Sequence, residues 1–130
     1  RFVSRALNGE PIQVYGDGTQ SRCFCHVFDV IRALKLLIGN EASYGETYNI
    51  GSQDSITIGD LAREVIRLTG SSSAIELVPY EKAYAKGFED MKRRMPNTAK
   101  ITALTGWKPE LSLERIIADV SREIRERNRA

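Results

Sequence analysis

Gly9-Glu10-Pro11-Ile12-Gln13-Val14-Tyr15-Gly16-Asp17-Gly18-Thr19-Gln20-Ser21-Arg22 is the stretch on which the reading of this chain turns. Ile12-Gln13-Val14-Tyr15 alternates apolar and polar side chains, the pattern of a short strand with one buried face. Gly16 to Gln20 reads as a turn, because glycine and aspartate supply the backbone freedom and local hydrogen bonds that turns need. Arg22 to His26 reads as a second strand. Two readings of the connecting loop stay open. It is a hairpin turn carrying a surface arginine, which the pattern alone favours. Or it is a ligand loop, where glycine backbone approaches closely, Gln20 hydrogen-bonds and Arg22 holds a phosphate through two parallel N–H bonds.

Working outward, Phe2 to Leu7 reads as the end of a helix, stopped by Asn8-Gly9 with Pro11 beyond. Downstream, Asp29 stands near the start of an apolar-periodic helix (Val30, Leu34, Leu37, Ile38), where the helix dipole favours a carboxylate. Thr47-Tyr48-Asn49-Ile50-Gly51 is expected to be a strand. Thr57 or Ser55 is expected to cap a helix with the stripe Leu61, Val65, Ile66 and Leu68, closed by Gly70. Ala74 to Val78 reads as another strand, and Tyr80 to Pro96 as an irregular, charged and aromatic segment. A short helix around Thr98 to Leu104, a Gly106-Trp107-Lys108-Pro109 turn and a last helix follow. That helix is expected to bury Leu113, Ile116, Ile117, Val120 and Ile124. The expected fold is a small α/β unit of short strands and several helices, with residues 1–130 as one domain.

Composition narrows the function. Hydrophobic residues make up 42% of 130, enough for an ordinary core. A net charge of +2 gives no general attraction to nucleic acid or an anionic membrane. No apolar run is long enough to span a bilayer. The start lacks a signal-peptide hydrophobic region and an initiator methionine and opens inside a helix, so an internal portion of a longer protein is expected. Cys23 and Cys25 do not have redox or zinc spacing. On a strand they would share a buried face, and a reducing cytoplasm is the expected setting. With His26 the lone histidine, no catalytic triad or metal cluster is expected. Gly16-Asp17-Gly18 lacks the third glycine of a dinucleotide fingerprint and leads into a strand, so these residues are not expected to bind a dinucleotide. Lys92-Arg93-Arg94 is either a solvated charge run or a diphosphate clamp. Tyr15, Tyr48, Tyr80, Tyr84 and Phe88 either pack or stack on a base.

The order of these motifs carries more than any one of them. The stretch from Gly9 to Arg22, followed by Phe24-Cys25-His26-Val27-Phe28-Asp29, resembles the G-x-P-x-x-x-Y-G-x-G-x-Q-x-R-x-[FWY]-x-[YH]-V-x-D run of extended short-chain dehydrogenases that act on nucleotide sugars. UDP-glucuronate decarboxylases, UDP-sugar 4-epimerases and dTDP-glucose dehydratases are members. Tyr48-Asn49-Ile50-Gly51, Thr57-Ile58 with Leu61-Ala62, Gly87-Phe88-Glu89-Asp90 with Arg93 to Lys100, and Gly106-Trp107-Lys108-Pro109 follow in the family's order.

The resemblance implies a C-terminal, substrate-binding domain whose NAD-binding Rossmann half is missing. The family's glycine-rich NAD motif and Tyr-x-x-x-Lys pair do not occur here. It implies that Gln13 to Tyr15 lie near the nucleobase, and that Arg22 and Arg94 grip the diphosphate of a UDP- or dTDP-sugar, with Gln20 beside them. Asp29, Asn49 and Gly51 would be structural. Asn97 departs from the family's usual aspartate. His26 stands where decarboxylases and dehydratases often have tyrosine and some epimerases have histidine. The parent would be an NAD-dependent isomerase or lyase, and these residues alone would be inactive. A side normally covered by the first domain would be left apolar or buried by homo-oligomerisation. A stand-alone, non-catalytic module that binds nucleotide sugar or protein is the competing reading.

Overall fold

A computed structural model describes residues 1–83 and 91–129. The segment Gly87-Phe88-Glu89-Asp90 and Tyr84 lie outside the described residues. The order of elements is α1 (Phe2–Leu7), β1 (Ile12–Tyr15), β2 (Ser21–Cys23), α2 (Val27–Ile38), a 3-10 turn (Glu41–Ser43), β3 (Ser55–Thr57), α3 (Ile58–Thr69), β4 (Ile75–Val78), α4 (Tyr80–Ala83), β5 (Arg93–Arg94), α5 (Ala99–Thr105) and α6 (Leu113–Arg127). This is the mixed α/β arrangement that the periodicities predict.

The expected hairpin does not form. β1 pairs in parallel with β4, matching Ile12 to Ile75 through Tyr15 to Val78. β2 joins a different sheet, antiparallel to β3 and parallel to β5. Residues 16–20 are therefore a crossing between two small sheets. Gly16 and Gly18 make that crossing with φ of +70° and +75°, in the left-handed region where a side chain is strained. A Cβ at Gly16 would also lie 2.3 Å from the Tyr80 ring. Asp17 holds the bend by accepting from the Thr19 amide (2.9 Å) and hydroxyl (2.7 Å), and the hydroxyl bond leads in holding its carboxyl below the usual range.

Two apolar clusters hold the unit together. The first closes α1, α3 and α6 over β1, with Val3, Ala6, Ile12, Val14, Ala62, Val65 and Ile117 buried. Alternation along β1 turns Ile12 and Val14 inward and leaves Gln13 and Tyr15 half-buried on the other side. The second gathers Ala33 of α2, Ile101 of α5 and Trp107, with Cys25, Leu37, Tyr48 and Ile50 around them.

α3 is capped as expected, Thr57 accepting from the Asp60 amide and Gly70 ending the helix at φ +65°. Other expectations need correction. Thr47 to Gly51 forms no ladder among the described residues, while β3 arises at Ser55–Thr57, a stretch too short to show a period. On α6 Ile117 is buried and Leu113 and Ile124 pack against the core as expected, but Ser121 is buried with them and Val120 is exposed. Cys23 and Cys25 are half-buried rather than core residues, and only Cys23 lies in the strand.

A candidate nucleotide-binding cleft

β1, the crossing loop and α1 enclose a cleft of about 330 Å³. Gln13 and Tyr15 reach it from β1, Gln20 from the loop and Arg22 from β2, so four of the five residues singled out in the sequence share one cavity. Gln20 is nearly buried and donates through Nε2 to the Tyr15 carbonyl at 2.8 Å, tying the loop to the end of β1. Its Oε1 is buried with no hydrogen-bond partner among the described residues. Arg22 donates through Nη1 to the carbonyls of Ser21 (2.7 Å) and Met91 (2.8 Å).

Arg94 does not line the cleft, but it is the register partner of Arg22 across the β2–β5 pair. Register partners on neighbouring strands point to the same face of a sheet. Arg93 pairs with Ser21, and its guanidinium lies 3.7 Å from the Met95 sulfur.

On the other side of the cleft the sequence offers Tyr80 as a stacking candidate but not the residues of the α1 region or Ile58. Arg1, Phe2 and Arg5 of the α1 region line it, with Ile58 and Tyr80. Arg1 donates to the Tyr15 hydroxyl at 2.9 Å and lies 5.7 Å from the ring centroid, and Arg5 donates to the Pro11 carbonyl at 2.8 Å. The four-residue spacing of Arg1 and Arg5 places both on one helix face, a signal present in the sequence but too common to select without the fold. Tyr80 reaches the cleft because the β1–β4 ladder brings the end of β4 beside Gly16, whose amide donates to the Val78 carbonyl at 2.9 Å. The cleft thus has three arginines and no carboxylate among its described lining residues. Cations in an apolar-walled cleft attract an anion more strongly than the same charges on an open surface.

Asp29 is not the cap expected for α2, and its partners are distant in sequence. It is almost fully buried, accepts from the amides of Glu110 (3.1 Å) and Leu111 (2.9 Å), and receives Arg32 Nη2 at 2.9 Å. Burial pushes its carboxyl up, but the Leu111, Arg32 and Glu110 bonds outweigh that and hold it below the usual range. The cap of α2 is His26, whose Nδ1 accepts from the Phe28 amide while Nε2 faces Asp119 at 3.2 Å. A helix cap that bridges α2 to α6 accounts for this histidine without any role on a sugar. Asn97 accepts from the Ala99 amide at 3.0 Å, so an amide serves at the start of α5.

The described residues do not place a glycine pair between a strand and a following helix. The one glycine pair after a strand, Gly16 and Gly18, opens a crossing into β2 and no helix begins there. Nor do they contain a group of three metal-ligating side chains, or a helix long and apolar enough to cross a membrane.

The family profile described as GDP-mannose 4,6 dehydratase matches residues 1–120. The UDP-N-acetyl-alpha-D-glucosaminuronate decarboxylase of Bacillus cytotoxicus is 39% identical over 126 residues, covering 97% of this chain and 39% of the relative. The solved UDP-glucose 4-epimerase of Thermotoga maritima, crystallised with UDP-glucose, matches at a TM-score of 0.81 and 28% identity, over 98% of this chain and 38% of that one. The dTDP-glucose 4,6-dehydratase of Bacillus anthracis, solved with NAD, matches at 0.82 and 25%, over 98% and 39%. This chain therefore spans about two fifths of those proteins, and it belongs to the extended short-chain dehydrogenase family of nucleotide-sugar epimerases and dehydratases.

Proposed function

We propose that this chain is the substrate-gripping part of an NAD-dependent nucleotide-sugar epimerase, dehydratase or decarboxylase, and that the Tyr15–Arg22 cleft holds the nucleoside diphosphate. The observation that carries this reading is the convergence of Gln13, Tyr15, Gln20 and Arg22 with two further arginines on one cavity. In this reading a base lies along Gln13 and Tyr15, within reach of the Tyr80 ring. The diphosphate lies toward Arg22 and its register partner Arg94. A planar guanidinium suits this task because it offers two parallel N–H donors to one phosphate. NAD and the hydride chemistry belong, in this reading, to the part of the relatives' length that these residues do not span.

Calorimetry with UDP and dTDP tests the assignment. Arg22→Ala and Arg94→Ala are each expected to weaken binding by about 1.5–3 kcal/mol, roughly 10- to 150-fold. Lysine at either position should rescue only in part, because it cannot make the two-pronged contact. Unchanged affinity in both alanine variants would falsify the site.

A further inference from the structure

The strand β5 has little support of its own. Its ladder to β2 matches only Ser21 to Arg93 and Arg22 to Arg94, it lies at the edge of its sheet, and both of its residues are exposed. A strand this short, with no buried side chain, is marginal by itself. The chain just beyond it is held by residues 46–53, a segment that belongs to no helix or ladder among the described residues. Asn49 donates through Nδ2 to the Asn97 carbonyl, and Gln53 through Nε2 to the Pro96 carbonyl, each at 3.3 Å. Between them Gly51 is buried, and a Cβ there would lie 2.9 Å from Pro96 Cγ. Lys100 closes the far end, donating to the Thr47 carbonyl at 3.0 Å and to Glu46 at 2.6 Å. The two stretches run in opposite directions, Thr47 beside Lys100, Asn49 beside Asn97 and Gln53 beside Pro96, with side chains making the bonds that a ladder makes in a sheet. Asn49 and Gln53 are themselves exposed, so neither bond is needed to satisfy a buried group. What the bonds do fix is the backbone two and three residues past Arg94. Pro96 locks its own φ and keeps Met95 out of helical backbone, so the link from these carbonyls back to Arg94 is stiff.

We infer that Asn49, Gly51 and Gln53 are positioning residues for Arg94: they clamp the Pro96–Asn97 backbone and so hold the arginine of β5 beside Arg22. This rests on the proposed function in taking Arg94 as a contact of the diphosphate. Asn49 and Gln53 touch no ligand in this account, and Gly51 contributes by leaving room for the Pro96 ring. Without the clamp, β5 has to be ordered at the moment the nucleotide binds, and that ordering weakens affinity.

The test is calorimetry with UDP on the 130-residue chain carrying Asn49→Ala together with Gln53→Ala. This double variant is expected to bind about 3- to 10-fold more weakly than wild type, the effect of ordering one loosened segment. Gly51→Ala, which forces Pro96 to shift, should weaken binding in the same range. In an Arg94→Ala background the double variant should cost nothing further, because the residue it positions is gone, whereas in an Arg22→Ala background its loss should persist. A general loss of stability would instead show equally in both backgrounds. A second measurement needs no nucleotide. The Ser21 amide donates to the Lys92 carbonyl at 2.8 Å, so its hydrogen exchange reports how firmly the start of β5 is attached. The double variant should raise that exchange by about 5-fold or more. Wild-type affinity in the double variant, a loss that persists undiminished in the Arg94→Ala background, or unchanged Ser21 exchange each overturns the inference. Unchanged affinity in Arg94→Ala itself overturns it together with the reading of the site. Failure of the inference alone looks different, with Arg94→Ala weakened and the double variant not.

Discussion

The arginines of the cleft and those of the outer helices are the same residue put to opposite uses. On α3 and α6, Arg63 meets Asp60 at 2.7 Å, Arg115 and Arg122 both meet Asp119 at 2.6 Å, and Arg127 meets Glu123 at 3.0 Å, all three or four residues apart on one helix. On the α1 side of the cleft, Arg1 bonds to a phenol and Arg5 to a carbonyl. A carboxylate neighbour neutralises an arginine, and in open solvent the pair contributes little to stability. A neutral acceptor fixes the guanidinium and leaves its charge to act on whatever enters. Arg32 is the intermediate case, bonded to the buried carboxylate of Asp29 and sharing it with two backbone amides.

The largest expected effect comes from that intermediate case. Asp29→Ala strands the Glu110 and Leu111 amides and leaves Arg32 without its buried partner. It should cost about 3 kcal/mol in urea unfolding, whereas an outer pair should cost nothing measurable. The sign with pH follows from the depressed carboxyl of Asp29. A carboxylate whose folded pKa lies below its unfolded value of about 3.9 stabilises the fold above that pH and loses the contribution as pH falls through the folded value. Wild type should therefore lose more stability than Asp29→Asn as pH falls below about 4. An equal loss would mean that the Glu110–Leu111 clasp is unimportant.

In binding, Arg5→Ala should weaken UDP by about 0.5–1.5 kcal/mol, less than Arg22→Ala, because in the proposed pose the diphosphate lies toward Arg22 rather than toward α1. An Arg5→Ala effect as large as that of Arg22→Ala would move the anion toward α1. The smallest effect is the control. Arg67→Ala breaks an exposed pair with Glu64 and should change neither UDP affinity nor the thermal midpoint. A loss of affinity there would erase the distinction between the two sets.

What could be read before folding follows from how far each signal reaches along the chain. Gln13, Tyr15, Gln20 and Arg22 lie within ten residues, so one strand and one turn bring them together, and the sequence named all four. Arg1 and Arg5 were missed because α1 meets β1 only through the core cluster of Val3, Ala6, Ile12 and Val14. Arg94 was expected in the same grip as Arg22, and the sheet makes it a neighbour on the strand without lining the cavity.

The sequence alone determined α1, β1, the cap and length of α3, and the position of α6, because helix periods, capping side chains and strand alternation act within a few residues. Its motif order also determined the family. Only the tertiary structure decided that β1 and β2 part into different sheets, that Asp29 clasps a loop some eighty residues away, and that Thr47–Gly51 joins no ladder among the described residues. Pairing depends on which distant strand can offer its backbone groups and bury its apolar face in register, and a local pattern, which fixes only the alternation, does not contain that choice.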